Sequence, residues 1–434
     1  MLSIFLANMT ISGIKSIEKE ITIDFYGKTI DSKYDPQKNR IKGIYGENGV
    51  GKSAIVTAVD IVKNIIFTNN YLSDSKNQFL LRELINKRSK KFAFQCDFVL
   101  AGDQRLIYTY ELRLGFDSFD SICIEYEALK VKANSSKNRE NVVFESRDGE
   151  LTFLDVDNEE LYEKIQKKTI NRISKESALK NILVSYEEIK DQDECFEAVL
   201  EAIVCWASVS TYFDKNDRHE EYIQNIRIKE LKKDNAAIEE LLAELDKKVN
   251  SFGRRVTVDD YEDYEERVKK LERFVRLFKR DLKRIDIEKK ENKGFYECEL
   301  VMNYGDYRVN QEFESTGVKK IIDLYFALRA ASNGNIVFID EMDSNINDVY
   351  LCKIIEFFMN FGKGQLCFTS HNLDPMNVLK NNNKSIDFLT STNRIIPWVK
   401  NGHYTPANSY RNGMIEDVPF NIDASDFISI FQED

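Results

Sequence analysis

Gly46-Glu47-Asn48-Gly49-Val50-Gly51-Lys52-Ser53 satisfies the full G-x-x-x-x-G-K-[ST] pattern of a phosphate-binding loop. It also stands where the chemistry needs it. The apolar stretch Ile41 to Tyr45 precedes it and reads as a buried strand, and Ala54, Ile55, Ala58, Val59 and Val62 follow at helical spacing. Strand, glycine turn and helix in this order predict an α/β fold with a largely parallel sheet. The glycines let the backbone wrap a phosphate, the amides at the helix start supply partial positive charge, and Lys52 adds a full charge at the β- and γ-phosphates of ATP. Ser53 is expected to ligate Mg2+.

A second signal lies far downstream. Asn335-Ile336-Val337-Phe338-Ile339 reads as a buried strand that ends in Asp340-Glu341. A carboxylate at the C-terminal end of a parallel strand meets the phosphate loop of a neighbouring strand, so Asp340 is expected to hold Mg2+ through water and Glu341 to polarise the attacking water. Apolar runs ending in two acids are common; the glycine loop gives this one its meaning. Between the two signals, Glu314-Ser315-Thr316-Gly317 opens a helix carrying Val318, Ile321, Ile322, Leu324, Tyr325 and Leu328. An ordinary capped helix is the plain alternative there. Met342-Asp343-Ser344-Asn345 follows the acidic pair, and the strand from Gln365 to Thr369 ends at Ser370-His371.

In this order the motifs resemble those of ABC-type ATPases. The resemblance implies that Ser315, Thr316 and Gly317 form a signature motif, with Thr316 where glycine is usual, and that Asp343 lies in a loop crossing to a second subunit. It implies that His371 is the switch histidine at the γ-phosphate. Two heads would then sandwich two ATP–Mg2+, giving a homodimer or a higher even-numbered oligomer. A Q-loop glutamine is expected after the first helix, with Gln78 and Gln95 as open alternatives.

The whole chain is similar to the OLD/RecF/SMC-like branch of these enzymes. Asn8 and Gly13-Ile14-Lys15-Ser16 before the strand Ile21 to Phe25 look like the opening stretch of that branch. Ile285-Asp286-Ile287-Glu288, the signature serine and the Asp340 to Ser344 run resemble single-chain RloA/AbiL-type and PARIS AriA-type anti-phage ATPases. That resemblance implies a sensor and scaffold with a separate effector, such as a Toprim-type nuclease or a toxin, and a phage component as trigger. Only residues 372–434 follow the histidine, too few for a Toprim domain, and the lone Asp423/Asp426 pair reads as a surface turn. The alternative is a repair or recombination ATPase that binds DNA directly; a third class is a scaffold in which hydrolysis is incidental.

Composition fits this frame. The 434 residues are 42% hydrophobic and 31% charged, with a formal charge of -11, and the mean hydropathy is -0.43. No apolar run approaches the roughly 18 residues of a membrane span, and Met1-Leu2-Ser3-Ile4-Phe5 lacks a basic start, so no membrane partner and a cytoplasmic location are expected. Seven scattered cysteines without a C-x-x-C pair read as buried thiols, and three histidines give no zinc spacing. An acidic chain does not coat nucleic acid with its whole surface, but a local basic strip remains open.

Three segments are expected: an N-terminal ATPase lobe over 1–206, a helical coiled-coil insertion over 207–290, and a C-terminal lobe over 291–434. Phe92 to Leu100, Leu106 to Leu114 and Ile122 to Val131 read as an antiparallel β lobe, and 155–206 as helical, with a basic patch at Lys164, Lys167, Lys168, Arg172 and Lys175. In the insertion, Leu231, Asn235, Ile238, Leu242, Leu245 and Val249 make one heptad arm, and Tyr264, Val268, Leu271, Val275, Phe278, Leu282 and Ile285 the other. Asn250-Ser251-Phe252-Gly253 would reverse the chain between them. The second arm would span about 40 Å as a helix. Residues 264–290 hold eleven Lys/Arg and six Asp/Glu, which reads either as a solvated, salt-bridged face or as a contact for phosphates.

Overall fold

Every residue of strand Ile41–Tyr45 is buried, as a central strand covered on both faces requires. The computed structural model describes residues 3–26, 35–101, 105–133, 139–189, 193–213, 255–292, 294–382, 384–400 and 404–417. Ile41–Tyr45 lies inside a six-stranded sheet in the order Ile395–Pro397, Ile386–Leu389, Ile41–Tyr45, Gln365–Thr369, Ile336–Ile339, Val209–Tyr212. All its pairings are parallel except that of Ile395–Pro397. Alternate residues serve opposite cores, because side chains of a strand alternate between faces. Ile44, Ile336 and Phe338 face the helix Lys52–Phe67 and the antiparallel lobe. Ile41, Tyr45, Val337 and Ile339 face Leu324, Leu328, Leu351, Ile355 and Met376 from the helices Thr316–Ser332, Asp348–Phe361 and Pro375–Leu379.

The antiparallel lobe is a seven-stranded sheet in the order Ile21–Asp24, Ser3–Ser12, Phe92–Ala101, Arg105–Phe116, Ile122–Ala133, Asn141–Arg147, Glu150–Leu154. Helices Ala178–Ile189 and Glu194–Ala207 pack on it. Trp206 fixes the second of these, with its ring 5.7, 5.3 and 5.4 Å from those of Phe94, Phe98 and Tyr110. One glutamine joins the two sheets. Gln365, on the parallel sheet and 1% exposed, accepts from Leu6 N–H at 2.5 Å and donates to Leu6 C=O at 2.8 Å. A bulge in the pairing between Leu6 and Asn8 frees those backbone groups for it. Together these features are an α/β fold in which a mainly parallel sheet joins an antiparallel β lobe.

The expected coiled-coil arm differs. A helix does form, but it runs over Tyr261–Phe278 and the chain then turns into strand Arg284–Asn292. Tyr264, Val268, Leu271 and Val275 are buried with Leu300, Met302, Val318 and Ile322. Leu282 and Ile285 belong to this same core from the turn and the strand. Strand Arg284–Asn292 pairs with Phe295–Asn303, which also carries Arg255–Thr257 and Arg308–Asn310. Both described ends of 207–290 therefore join the head, since Val209–Tyr212 pairs with Ile336–Ile339 in the main sheet. The other arm, Leu231 to Val249, the reversal at Asn250 to Gly253, and Asp423 and Asp426 lie outside the described residues. Among those residues no helix is long and apolar enough to cross a membrane.

Candidate nucleotide site

The glycine loop leaves Tyr45 and enters the helix Lys52–Phe67 through Gly51, whose φ of 110° lies in the left-handed region. A β-carbon at Gly51 would also stand 2.8 Å from Ser16 Oγ and 2.9 Å from Ile17 Cγ1, so this position requires glycine. At the other end of the loop, a β-carbon on Gly46 would approach the Leu389 carbonyl to 2.4 Å. The loop is thus wedged between the Ser16–Ile17 turn and the end of strand Ile386–Leu389. Lys52 folds its ammonium back over the loop, donating to Gly46 C=O at 2.8 Å and Glu47 C=O at 2.7 Å. It also stands 3.5 Å from His371 Nδ1. Burial lowers the Lys52 pKa, and the charges of Asp340, Glu341, Asp343 and Glu47 oppose that shift.

Parallel pairing of Ile336–Ile339 with Gln365–Thr369 brings the acidic pair beside Ser370 and His371. Asp340, 7% exposed, accepts from Thr369 Oγ1 at 2.6 Å. The same hydroxyl accepts from Glu341 N–H at 2.8 Å. Glu341 has φ 44°, a conformation that costs a non-glycine residue about 1–3 kcal/mol and persists only where its surroundings hold it. Thr369 is one of those constraints. The buried Lys320 of helix Thr316–Ser332 reaches Asp340 C=O at 3.5 Å.

Asp343 is engaged within its own chain. Its carboxylate accepts from His371 N–H at 3.3 and 3.2 Å and from Asn372 N–H at 3.0 Å, tying the loop after the acidic pair to the backbone that follows strand Gln365–Thr369. Ser315 caps its helix, accepting from Val318 N–H at 3.4 Å. Ser315 and Thr316 are exposed, and Gly317 lies beside Asn345. The structure therefore gathers Lys52, Asp340, Glu341, Asp343 and His371 at one end of the parallel sheet, while Ser315 and Thr316 are exposed at the start of helix Thr316–Ser332. Asn48, Gly49 and Val50 complete the loop, with Val50 buried in the core.

Of the two glutamines, Gln78 clamps Ile122, accepting from its N–H and donating to its C=O, both at 2.9 Å. Gln95 lies in the antiparallel sheet opposite Thr10 and Glu111. Two residues outside the motifs do line the site. Thr369 ends a strand whose importance shows only through pairing, and Tyr410, on helix Pro406–Arg411, borders a cleft with Gly46, Glu47, Asn48, Ser370, His371 and Leu373.

Ser53 at the start of helix Lys52–Phe67 and Asp340 at the end of strand Ile336–Ile339 offer the hard oxygen donors that Mg2+ prefers. Among the described residues there is no group of three or more His, Cys, Asp or Glu side chains able to hold a metal alone. This donor set fits an ion shared with nucleotide phosphates rather than a protein cage. When bound, Mg2+ would neutralise negative charge on the nucleotide's phosphates.

Residues 41–374 match the family described as "AAA domain, putative AbiEii toxin, Type IV TA system". The chain belongs to this AAA-domain family. The match begins at the strand before the glycine loop and ends just beyond His371, so it spans every motif of the site. Among solved structures, this AAA domain is similar to the SMC head domain from Thermotoga maritima, at 12% identity and a TM-score of 0.30 over 91% of this chain and 100% of that one. It is similar to the recombination mediator protein RecF-ATP, at 12% identity and 0.37 over 92% and 100%. No curated protein matches the chain.

Proposed function

We propose that this AAA domain hydrolyses ATP with Mg2+ between two copies of itself and serves as the sensor and scaffold of a prokaryotic anti-phage defence system, controlling a separate effector. The observation that carries the ATPase part is the convergence of Lys52, Asp340, Glu341 and His371 at the ends of three adjacent parallel strands. Lys52 supplies positive charge to the terminal phosphates in place of the loop carbonyls it now contacts. Glu341 orients and deprotonates the attacking water, and Thr369 holds its backbone while engaging Asp340. Ser53 and Asp340 hold the metal side of the triphosphate. His371, fixed through Asp343, faces the γ-phosphate.

Ser315 and Thr316 are exposed at the start of their helix, which supports a role for Ser315, Thr316 and Gly317 toward the nucleotide of a second copy. Closure of two heads would bring the capped helix start onto that phosphate. The family description names a toxin of a toxin–antitoxin system, which supports a two-component arrangement of the RloA/AbiL or PARIS AriA kind, with a nuclease or toxin as output and a phage component as trigger. Direct DNA tracking draws less support. Lys269, Lys270 and Arg276 pair with Glu265, Glu266 and Glu272, and Lys164 and Lys167 with Glu160 and Glu163, each at i,i+4 spacing. Those are the marks of a solvated helical face.

Phosphate release from ATP by the wild type, abolished in Glu341→Gln, tests the enzyme; its persistence in Glu341→Gln would overturn the role of that carboxylate. Co-purification with the products of neighbouring genes, sized with and without ATP, tests the scaffold. A stoichiometric protein partner supports it, and recovery of nuclease-sensitive DNA alone overturns it.

A further inference from the structure

The two ends of the glycine loop have different neighbours. Gly51 abuts Ser16 and Ile17, whereas Gly46, Glu47 and Asn48 share a cleft with His371, Leu373 and Tyr410. Lys52 places its ammonium at this second end, on the carbonyls of Gly46 and Glu47 and beside His371. In the reading above, that end receives the terminal phosphate.

Tyr410 is held there by its ring. It stacks on Phe388 at 5.7 Å and 23°, and Phe388 in turn lies 6.4 Å from Tyr45, the last residue before the loop. Among the described residues its hydroxyl has no hydrogen-bond partner, although it is half-buried and lines the cleft. Burial and then the charge of Glu47 raise its pKa, so the phenol keeps its proton at neutral pH. The result is a rigidly mounted O–H donor at the Lys52–His371 end of the loop, far in sequence from every motif.

We propose that Tyr410 is a nucleotide-contacting residue whose hydroxyl donates to the terminal phosphate of ATP, so that helix Pro406–Arg411 distinguishes the triphosphate from the diphosphate. This rests on the assignment of the loop as an ATP site. The test is calorimetric titration of the full chain with Mg2+ and either AMP-PNP or ADP, for the wild type, Tyr410→Phe, Tyr410→Ala and Lys52→Ala. Tyr410→Phe keeps the ring on Phe388, and is expected to weaken AMP-PNP by about tenfold while leaving ADP affinity and Tm unchanged. Tyr410→Ala should weaken AMP-PNP at least as much. An unchanged ratio of AMP-PNP to ADP affinity in Tyr410→Phe, or an equal loss for both nucleotides, overturns the proposal while leaving the ATP site intact. Wild-type protein that binds neither nucleotide, or AMP-PNP affinity left unchanged in Lys52→Ala, overturns the ATP site itself and the proposal with it.

Discussion

Thr369 donates its hydroxyl hydrogen to Asp340 at 2.6 Å and receives the Glu341 N–H on the same oxygen at 2.8 Å. One side chain on a neighbouring strand thereby sets both carboxylates and holds Glu341 at its positive φ. Thr369→Val keeps the shape and removes both bonds. Leaving a buried donor and acceptor unpaired costs about 1–3 kcal/mol. If that cost falls on the reacting geometry, kcat drops about 10- to 100-fold. Steady-state phosphate release should show this with little change in nucleotide affinity, while Thr369→Ser restores most of the rate.

Lys52 and Glu341 should separate binding from hydrolysis. Lys52→Ala removes the ammonium seated on the loop, and charge-assisted contacts of about 1.5–3 kcal/mol predict a loss of ATP affinity of about 10- to 100-fold or more. Glu341→Gln leaves the loop untouched, so calorimetry should find ATP affinity near wild type while phosphate release is lost.

The glycine loop, the acidic pair and the strand before His371 were legible because each is local: a few adjacent residues fix strand, turn and ligand chemistry together. Thr369 was not, since its role arises from the pairing of Ile339 with Phe368 across the sheet. Nor was the end of the helix at Phe278. No proline or glycine marks the break at Lys279-Arg280-Asp281, and Leu282 and Ile285 fall in phase with the heptads while belonging to a turn and a strand. Apolar spacing reports which residues are buried, and here one core takes them from two kinds of backbone. Tyr410 left no trace, because only the folded chain brings helix Pro406–Arg411 to the loop.

Gln365 should matter for stability rather than chemistry. Its amide satisfies both backbone groups of Leu6 across the junction of the two sheets. Gln365→Leu would leave a buried N–H and C=O without partners, a loss of about 2–4 kcal/mol. Urea unfolding should show a lower midpoint, and a variant as stable as the wild type would mean that the sheets are joined by apolar packing alone.

Glu127 offers a pH-dependent test of the antiparallel lobe. Its carboxylate is fully buried and accepts from Tyr110 Oη at 2.9 Å, Ser177 Oγ at 2.7 Å, Ala178 N–H at 2.6 Å and Leu179 N–H at 3.2 Å. It thus caps helix Ala178–Ile189 from strand Ile122–Ala133. Burial raises its pKa, and these four donors only partly oppose the rise. A folded-state pKa above the unfolded one means that the native state binds the extra proton, so stability is fullest below the ordinary glutamate value and falls as pH rises through the raised one. Glu127→Gln has no such titration. The stability of the wild type relative to Glu127→Gln, from urea unfolding across a pH series, should therefore decline as pH rises above about 4.3. A difference that grows over that range would mean that the four donors outweigh burial and that the native state favours the ionised carboxylate.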